Sequence, residues 1–256
     1  MLNRAGAAGE TAYNALQTAR PDGYTIGWLA TPGYVAMGVE RPVRFDRAKI
    51  RPIARLIDDP AALMVRADSP FRTLRDLVDA AKRNPESISI GSSSIGTVSH
   101  LGLTLLQAAS GARFIHAPFA GTGPVKNALL GGHIDVGGLV VGELGTMGQD
   151  RASLRVLTVM ARQRVELIPS VPTALEDGYD VVISGERGIA APIGISDDVA
   201  LKLQASVEAL LVTPNFLDRA RSLELPLAYL SGAAWSQRMA EQEALYRRVW
   251  ASTPWM

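Results

Sequence analysis

Two short loops rich in glycine and hydroxyl side chains are the parts of this sequence best suited to bind a ligand. The first runs from Ser92 to Thr97 and the second from Phe119 to Gly123, and each follows a predicted strand and begins a predicted helix. Backbone N–H groups at a helix N-terminus have no partner within the helix, and with nearby hydroxyls they attract negative charge. Loops that leave the carboxyl ends of neighbouring parallel strands face the same side of an open sheet. The pattern therefore predicts one anion held by both loops.

The alternative for the hydroxyl side chains is ordinary helix capping, which serine and threonine provide in proteins that bind nothing. Glycines in both loops favour carboxylate binding, because they let backbone N–H groups approach the ligand oxygens closely. A third glycine loop, from Thr31 to Tyr34, follows a predicted strand from Tyr24 to Ala30. The candidate ligand-binding residues of the three loops are Thr31, Gly33, Ser92, Ser93, Ser94, Gly96, Thr97, Phe119, Ala120 and Gly121.

The sequence lacks the arrangements that hydrolytic or metal-dependent chemistry requires. Gly91-Ser-Ser-Ser-Ile95 has no second glycine where the nucleophile turn of a serine hydrolase needs one. His100, His116 and His133 are 16 and 17 residues apart, which is not the spacing of metal ligands on one helix. We expect His100, just after the first loop, to hydrogen-bond the loop backbone. The sequence therefore predicts no enzyme, no catalytic residue, no metal site and no cofactor.

The composition is that of a globular protein without a strong charge bias. The 256 residues are 47% hydrophobic and 20% charged, with 26 basic and 25 acidic side chains. A formal net charge of +1 without a basic cluster argues against a nucleic-acid partner. The absence of cysteine excludes disulfides and thiolate metal sites. No apolar run reaches the roughly 18 residues of a membrane-spanning helix, and the first residues lack the apolar segment of a signal peptide.

Strand and helix patterns alternate on both sides of the two loops, as a doubly wound α/β sheet requires. A break at Ser69-Pro70 and a return near Gly185 divide the alternation into two lobes, the second inserted in the first. We predict that residues 1–66 and 187–256 form the first lobe and that residues 67–186 form the second. We also expect four aromatic side chains to pack inside the fold: Tyr24, Trp28, Phe114 and Trp250.

Six motifs, ordered along nearly the whole chain, resemble the solute receptors of tripartite tricarboxylate transporters, also called Bug proteins. The motifs are Asn3-Arg-x-Gly-Ala-x-Gly9, Pro21-Asp-Gly-Tyr-Thr25, Gly91-Ser-Ser-x-x-Gly-Thr-x-x-His-Leu101, His116-x-Pro-Phe-x-Gly121, Leu129-Leu-Gly-Gly-His-Ile-Asp135 and Val171-Pro-Thr-x-x-Glu-x-Gly178. Each motif is weak alone, whereas six in matching order and spacing are specific.

The resemblance implies an α/β fold like that of type II periplasmic binding proteins, with two lobes and a ligand cleft between them. It implies a monomeric periplasmic receptor that binds a small carboxylate, such as a di- or tricarboxylate, an acidic amino acid or an aromatic acid. Such a receptor delivers its ligand to membrane permease subunits and performs no chemistry on it. Family members carry a signal peptide, a first strand and a Gly-rich loop ahead of the Asn3 motif. We therefore expect DNA upstream of Met1 to encode these elements in frame, and we expect a chain beginning at Met1 to leave a strand edge unpaired.

Two positions depart from the family pattern. Leu139-Val-Val141 stands where members often have a polar residue facing the ligand, and Arg187 stands near a position where an aromatic residue is common. We therefore add Leu139 and Arg187 to the candidate ligand-binding residues and expect a ligand with an apolar body. An alternative function is that of a ligand-sensing protein of the same fold that acts in regulation. Such a regulator would need a DNA-binding or output domain, which this sequence does not show.

Overall fold

The computed structural model describes residues 2, 4, 6 and 9–255 of the chain. Its helices are α1 (Glu10–Gln17), α2 (Gly33–Glu40), α3 (Leu74–Arg83), α4 (Val98–Ser110), α5 (Thr122–Leu130), α6 (Asp197–Leu211), α7 (Pro214–Ser222) and α8 (Gly232–Ser252). Its strands are β1 (Gly27–Ala30), β2 (Ile50–Arg66), β3 (Ser89–Ser92), β4 (Ile115–Pro118), β5 (Val136–Val140), β6 (Leu154–Val159), β7 (Ser184–Pro192) and β8 (Leu227–Ser231). Positions 3, 5, 7 and 8 of the first motif lie outside the described residues, as does Met1.

The first of two compact units contains the described residues up to Asp58 together with Glu186–Trp250. Its sheet pairs β1 with β7 and the first half of β2 with β8, and both pairings are antiparallel. Tyr13 of α1 contacts Tyr34 of α2 edge to face, with ring centroids 4.9 Å apart, and Phe45 stacks on Tyr34. These rings fix both short helices because aromatic pairs of this geometry add to the free energy gained by burying their surface.

The second unit contains Asp59–Gly185 together with the described residues from Ala251 onward. Strand β3 lies between β4 and β5 and is parallel to both. Helix α4 connects β3 to β4, and α5 connects β4 to β5. Strand β5 also pairs with the second half of β2, which pairs in turn with β6. This arrangement is the α/β alternation that the sequence predicts around the two glycine loops.

Helix α3 begins where the sequence pattern of Thr73 and Asp76 predicts. The Thr73 hydroxyl accepts the Asp76 N–H at 3.1 Å, and the Asp76 carboxylate accepts the Thr73 N–H at 2.9 Å. The N–H groups of Arg72 and Thr73 hold the pKa of the Asp76 carboxyl below its usual range. The two reciprocal bonds satisfy donors that a helix N-terminus otherwise leaves open. Among the helices of residues 9–255, none combines the length and the hydropathy that a membrane span needs.

The division between the units differs from the predicted lobe boundaries. The chain leaves the first unit after Asp58 rather than after Arg66, and it returns at Glu186, one residue before the predicted return at 187. The last described residues, from Ala251 onward, belong to the second unit instead of the first. Strand β2 continues through the first boundary without a break, so its apolar pattern carries no signal of where one unit ends.

The prediction that four aromatic side chains pack inside the fold is wrong for two of them. Phe114 is buried and Trp250 is half-buried, but Tyr24 is 94% exposed and Trp28 is 50% exposed. Strand β1 pairs with β7 on one side and, among the described residues, with no strand on the other. Leu29 points into the core, and residues on the opposite face of this short edge strand therefore point outward.

Candidate functional site

The structure brings the two glycine loops of the second unit together. The parallel strands β3 and β4 end level with each other, with Ser92 opposite Pro118. Beyond that point the Phe119 N–H donates to the Ser92 carbonyl at 2.9 Å, and the Gly121 N–H donates to the Ser93 carbonyl at 3.0 Å. These two hydrogen bonds fix the loop before α5 against the loop before α4. The two loops therefore form one surface, which we call the paired loops.

Both helices that follow the paired loops begin without a side-chain cap. Thr97 is the residue before α4, yet its hydroxyl donates to the Ser94 carbonyl at 2.8 Å and accepts no backbone N–H of the helix. Gly121 precedes α5 and has no side chain that could cap it. Ordinary capping therefore does not account for the hydroxyl at Thr97. Two helix N-termini, each with a partial positive charge, lie at the ends of two strands that pair side by side.

The candidate residues of the paired loops differ in exposure. Ser94 and Ala120 are exposed, and the half-buried residues are Ser93, Gly96, Thr97, Phe119 and Gly121. Ser92 is fully buried, and its hydroxyl donates to the Ser94 carbonyl at 3.2 Å and lies 2.7 Å from Nε2 of His116. The Ser92 side chain is thus engaged inside the loop, where it shapes the backbone rather than facing solvent.

Gly121 adopts a backbone conformation that other residues avoid. Its φ of 108° and ψ of 172° lie in a region used almost only by glycine. A Cβ placed there would meet no atom within 4 Å, so backbone strain and not crowding keeps this position as glycine. Gly96 also has a positive φ, of 73°, where the first loop turns toward α4.

His100 supports the first loop from inside, as its position in the sequence predicts. Its Nδ1 accepts the Gly96 N–H at 3.0 Å, which confirms the expected bond to the loop backbone. The His100 ring stacks on that of His116 with centroids 4.2 Å apart and an interplanar angle of 17°. Burial, with a smaller effect of the neighbouring His116, lowers the pKa of His100 to about 4. Burial also lowers the pKa of His116.

Leu139 lies in the core of the second unit. It is the fourth residue of the wholly buried strand β5 and stands opposite Ala62 of β2. Its side chain belongs to the hydrophobic cluster that includes Val125 and Leu129 of α5. The expectation that Leu139 faces a ligand is not supported by this packing. An apolar side chain suits a core position as well as a position that contacts the apolar body of a ligand, so the sequence motif does not distinguish the two.

Three candidate residues belong to the first unit. Thr31 follows β1, and its N–H donates to the Glu186 carbonyl at 2.9 Å. The Thr31 hydroxyl is buried and has no hydrogen-bond partner among the described residues. Gly33 begins α2, which has no side-chain cap, and a Cβ at Gly33 would meet nothing within 4 Å. Arg187 is half-buried on β7, opposite Ala30 of β1.

A buried ion cluster around Glu186, which the sequence did not reveal, underlies this part of the first unit. The Glu186 carboxylate is fully buried and accepts the Trp235 indole N–H at 2.8 Å. It also pairs with Arg55 at 3.3 Å and with Arg238. The backbone carbonyl of Glu186 accepts the Thr31 N–H, so the cluster is connected to the loop between β1 and α2.

The sequence gives little sign of the supporting residues. The three partners of the Glu186 carboxylate are 131, 52 and 49 residues away along the chain, separations that no local pattern reports. The buried hydroxyl of Ser99 accepts the Ser93 N–H at 3.4 Å. In the motif that runs from Gly91 to Leu101, position 99 can be any residue, so the motif does not single out Ser99. Within the described part of the chain, no group of three or more His, Cys, Asp or Glu side chains is arranged to hold a metal ion.

The family model of the tripartite tricarboxylate transporter family receptor, TctC, matches residues 1–249. The chain belongs to the TctC receptor family. It is 29% identical over 242 residues to a UPF0065 protein in the gbd 5′ region of Cupriavidus necator, a match that covers 93% of this chain and 72% of the relative. It is 30% identical to a TctC solute-binding protein from Polaromonas whose crystal structure holds no ligand, with a TM-score of 0.86 over 98% of this chain and 86% of that one. The family is one of solute-binding receptors, not a class of enzymes.

Two solved structures with bound acids share the TctC fold. One is a protein from R. palustris with adipate, 21% identical, with a TM-score of 0.81 over 97% of this chain and 84% of that one. The other is MatC from Rhodopseudomonas palustris with bound malate, 23% identical, with a TM-score of 0.76 over 95% of this chain and 85% of that one. At these identities the likeness shows the fold alone.

Proposed function

We propose that this TctC-family chain is a periplasmic receptor that binds a small dicarboxylate and passes it to the membrane permease of a tripartite tricarboxylate transporter. The observation that carries the proposal is the Gly121 N–H bond to the Ser93 carbonyl, because it sets two uncapped helix N-termini on the paired loops. Backbone N–H groups aimed at one carboxylate are charge-assisted donors and need no metal or basic side chain.

The residues of the paired loops take different roles in this proposal. The backbone N–H groups that follow Thr97 and Gly121 bind one carboxylate, and the exposed Ser94 is a candidate hydroxyl donor. Ser92 holds the loop and does not contact the ligand, since its hydroxyl is already bonded within it. Half-exposed Ile95 and half-buried Phe119 offer apolar surface to the body of the ligand. Leu139 has no ligand role in the proposal because it is part of the core.

The first unit offers a separate ligand contact at the start of α2. An unpaired buried hydroxyl is unusual, since buried polar groups almost always find a partner. The Thr31 hydroxyl has none among the described residues, and it precedes the uncapped N-terminus of α2. We therefore propose Thr31 and Gly33 as ligand contacts of this unit. Arg187 remains a candidate counter-ion for a carboxylate.

The ligands of two proteins with the same fold, and the role of TctC receptors, support a dicarboxylate as the ligand class. Adipate and malate are bound by two proteins of the same fold, and each carries two carboxylates on a short carbon chain. Receptors of the TctC family are periplasmic and work with a membrane permease. Delivery of a dicarboxylate to such a permease is therefore the function that we propose for this chain.

Thermal unfolding with a ligand panel tests the proposal. The panel holds mono-, di- and tricarboxylates, with their methyl esters as uncharged controls. A cognate ligand at a hundredfold excess over its Kd should stabilise the protein by about 2.7 kcal/mol, and its ester should not. Stabilisation by no member of the panel, confirmed by calorimetric titration, would remove carboxylates as the ligand class. Turnover of a bound acid would contradict a receptor role.

A further inference from the structure

His100 and His116 form a stacked pair beneath the first of the paired loops. Nδ1 of His100 accepts the Gly96 N–H at 3.0 Å, at the residue where a positive φ turns the loop toward α4. A histidine nitrogen can accept only when it carries no proton. The observed bond therefore requires the His100 tautomer that has its single proton on Nε2.

The second ring is fixed through Ser92. The Ser92 hydroxyl donates to the Ser94 carbonyl at 3.2 Å, which leaves its oxygen to accept from His116 Nε2 at 2.7 Å. This network assigns a proton to Nε2 of His116 and none to its Nδ1. Each ring thus holds one end of the loop: His116 through Ser92, and His100 through Gly96.

A second proton on either ring would disturb this arrangement. At His100 the new proton would go to Nδ1, where it would replace an acceptor by a donor that faces the Gly96 N–H. At His116 it would go to the free Nδ1 and place a positive charge beside a ring 4.2 Å away. The lowered pKa of both rings agrees with this geometry, since burial disfavours the charged form of each ring and the neighbouring His116 disfavours it further at His100.

The described residues that line the cavity beside the pair carry no charge that would offset protonation. A cavity of about 230 Å³ borders both rings and is lined also by Ile95, Thr104, Gln107, Thr253, Pro254 and Trp255. These groups come from the loop, from α4 and from the C-terminal segment, and all of them are uncharged. Of the described residues that line the cavity, only the two histidines have titratable side chains. The cavity has room for water, so a proton can reach the rings.

We propose that His100 and His116 are positioning residues of the paired loops and hold the first loop in its binding shape only while both rings are neutral. The proposal rests on the proposed function, because it takes the paired loops as the carboxylate site. It makes ligand affinity dependent on pH in the acidic range, through residues that do not touch the ligand.

A ligand-free measurement tests the positioning role independently of the ligand. Nitrogen-15 NMR of the whole chain, followed from about pH 7 to about pH 4, reports the ring tautomers and the Gly96 amide. We expect an unprotonated Nδ1 on both rings at neutral pH and a Gly96 amide shift that changes together with His100 protonation. A protonated Nδ1 on His100 at neutral pH, or a Gly96 amide that ignores its titration, would overturn the proposal.

Three variants connect the ring to binding, with malate and adipate as the probes. Asn at position 100 keeps an acceptor near the place of Nδ1 but cannot take a proton, whereas Leu removes the acceptor. His100→Leu should weaken binding about tenfold at neutral pH, the effect of losing one hydrogen bond that shapes the site. His100→Asn should bind within about threefold of the native chain and lose the acid sensitivity, while the exposed control His133→Asn should keep it.

The outcomes separate this proposal from the proposed function. If neither probe binds the native chain, the proposed function is at fault and the NMR titration still decides the positioning role. If the probes bind and His100→Asn keeps the native acid sensitivity, the positioning role is wrong and the carboxylate site stands. Unchanged affinity in a folded His100→Leu chain would also refute the positioning role.

Discussion

The indole nitrogen of Trp235 lies 2.8 Å from the carboxylate of Glu186, a side chain with no exposed surface, and this bond ties α8 to β7 in the first unit. Arg55 and Arg238 form ion pairs with that carboxylate, and Arg55 also pairs with Asp58 at 2.8 Å. A buried charge pair contributes little net stability, but removal of one member leaves the other charge buried without compensation. The cluster therefore makes Glu186 hard to replace.

We expect Glu186→Gln to lower the free energy of unfolding by about 3 kcal/mol, because Arg55 and Arg238 would lose the negative charge that compensates them. Urea unfolding followed by circular dichroism measures the change. Asp218→Asn is the matched control, since the ion pair of Asp218 with Arg221 is more than 70% exposed on both sides. Its effect should stay below about 1 kcal/mol. Equal losses in the two variants would show that the buried cluster has no special role.

The sequence predicted the elements around the paired loops because each signal there is local. A short apolar run, a glycine loop and an amphipathic stretch follow one another within about 35 residues, and parallel order then places the two loops side by side. The bond between His100 and Gly96 is local as well, four residues apart. The Glu186 cluster was not predictable, because its side chains meet only after the chain has folded.

Three other differences between the structure and the expectations from the sequence have equally specific causes. The boundary at Asp58 lies inside one long strand, so periodicity passes through it unchanged. Leu139 is apolar because β5 is covered on both faces, and a strand buried on both faces shows no alternation that marks a ligand-facing side. Trp28 is exposed because β1 has a described neighbour strand on one side only, and Tyr24 is exposed because β1 begins at Gly27 and leaves Tyr24 outside the strand.

Gly121→Ala should weaken carboxylate binding about tenfold or more, because an alanine at this φ and ψ costs about 1–3 kcal/mol unless the loop moves. A moved loop would no longer aim its N–H groups at the ligand. Calorimetric titration with malate or adipate measures the loss, and circular dichroism should show an unchanged fold.

Gly111→Ala is the matched control for this glycine. Gly111 also has a positive φ, of 71°, and open space around its Cβ position, but it lies at the far end of α4. Its replacement should lower the free energy of unfolding by about 1 kcal/mol and leave affinity unchanged. Equal loss of affinity in both variants would mean that general destabilisation, not the loop geometry, is responsible.

Thr31→Val should leave the ligand-free protein as stable as the native chain, or stabilise it by up to about 1 kcal/mol, because the lost hydroxyl has no partner among the described residues. If the hydroxyl contacts the ligand, affinity should fall about tenfold. Thr158→Val is the control: its hydroxyl is buried but donates to the Pro172 carbonyl at 3.3 Å, so it should cost about 1 kcal/mol. A Thr31→Val chain with normal affinity would remove Thr31 from the proposed site.

The stability of the protein should fall as the pH drops from about 6.5 toward about 4, because the pKa of His100 is lowered from 6.5 to about 4 in the folded chain. In that interval the unfolded chain has taken up a proton at His100 and the folded chain has not. Folding is therefore weakened as pH falls, while above pH 6.5 both states are neutral and the residue contributes no pH dependence. The contribution of His100 to this loss is at most about 3 kcal/mol. His116 contributes in the same direction, because its pKa is also lowered in the folded chain.

Urea unfolding at a series of pH values, in the native chain and in His100→Asn, isolates this contribution. The variant should show a flatter curve between about pH 6.5 and about pH 4.5, because its side chain cannot take up a proton in either state. The carboxyls of Asp76 and Glu176 have a lowered pKa in the folded chain, so their stabilising effect is present at higher pH and disappears only below about pH 4.5. They therefore do not account for a loss that begins near pH 6.5. Superimposable curves for the native chain and the variant in the upper interval would show that His100 is not the group whose protonation destabilises the fold.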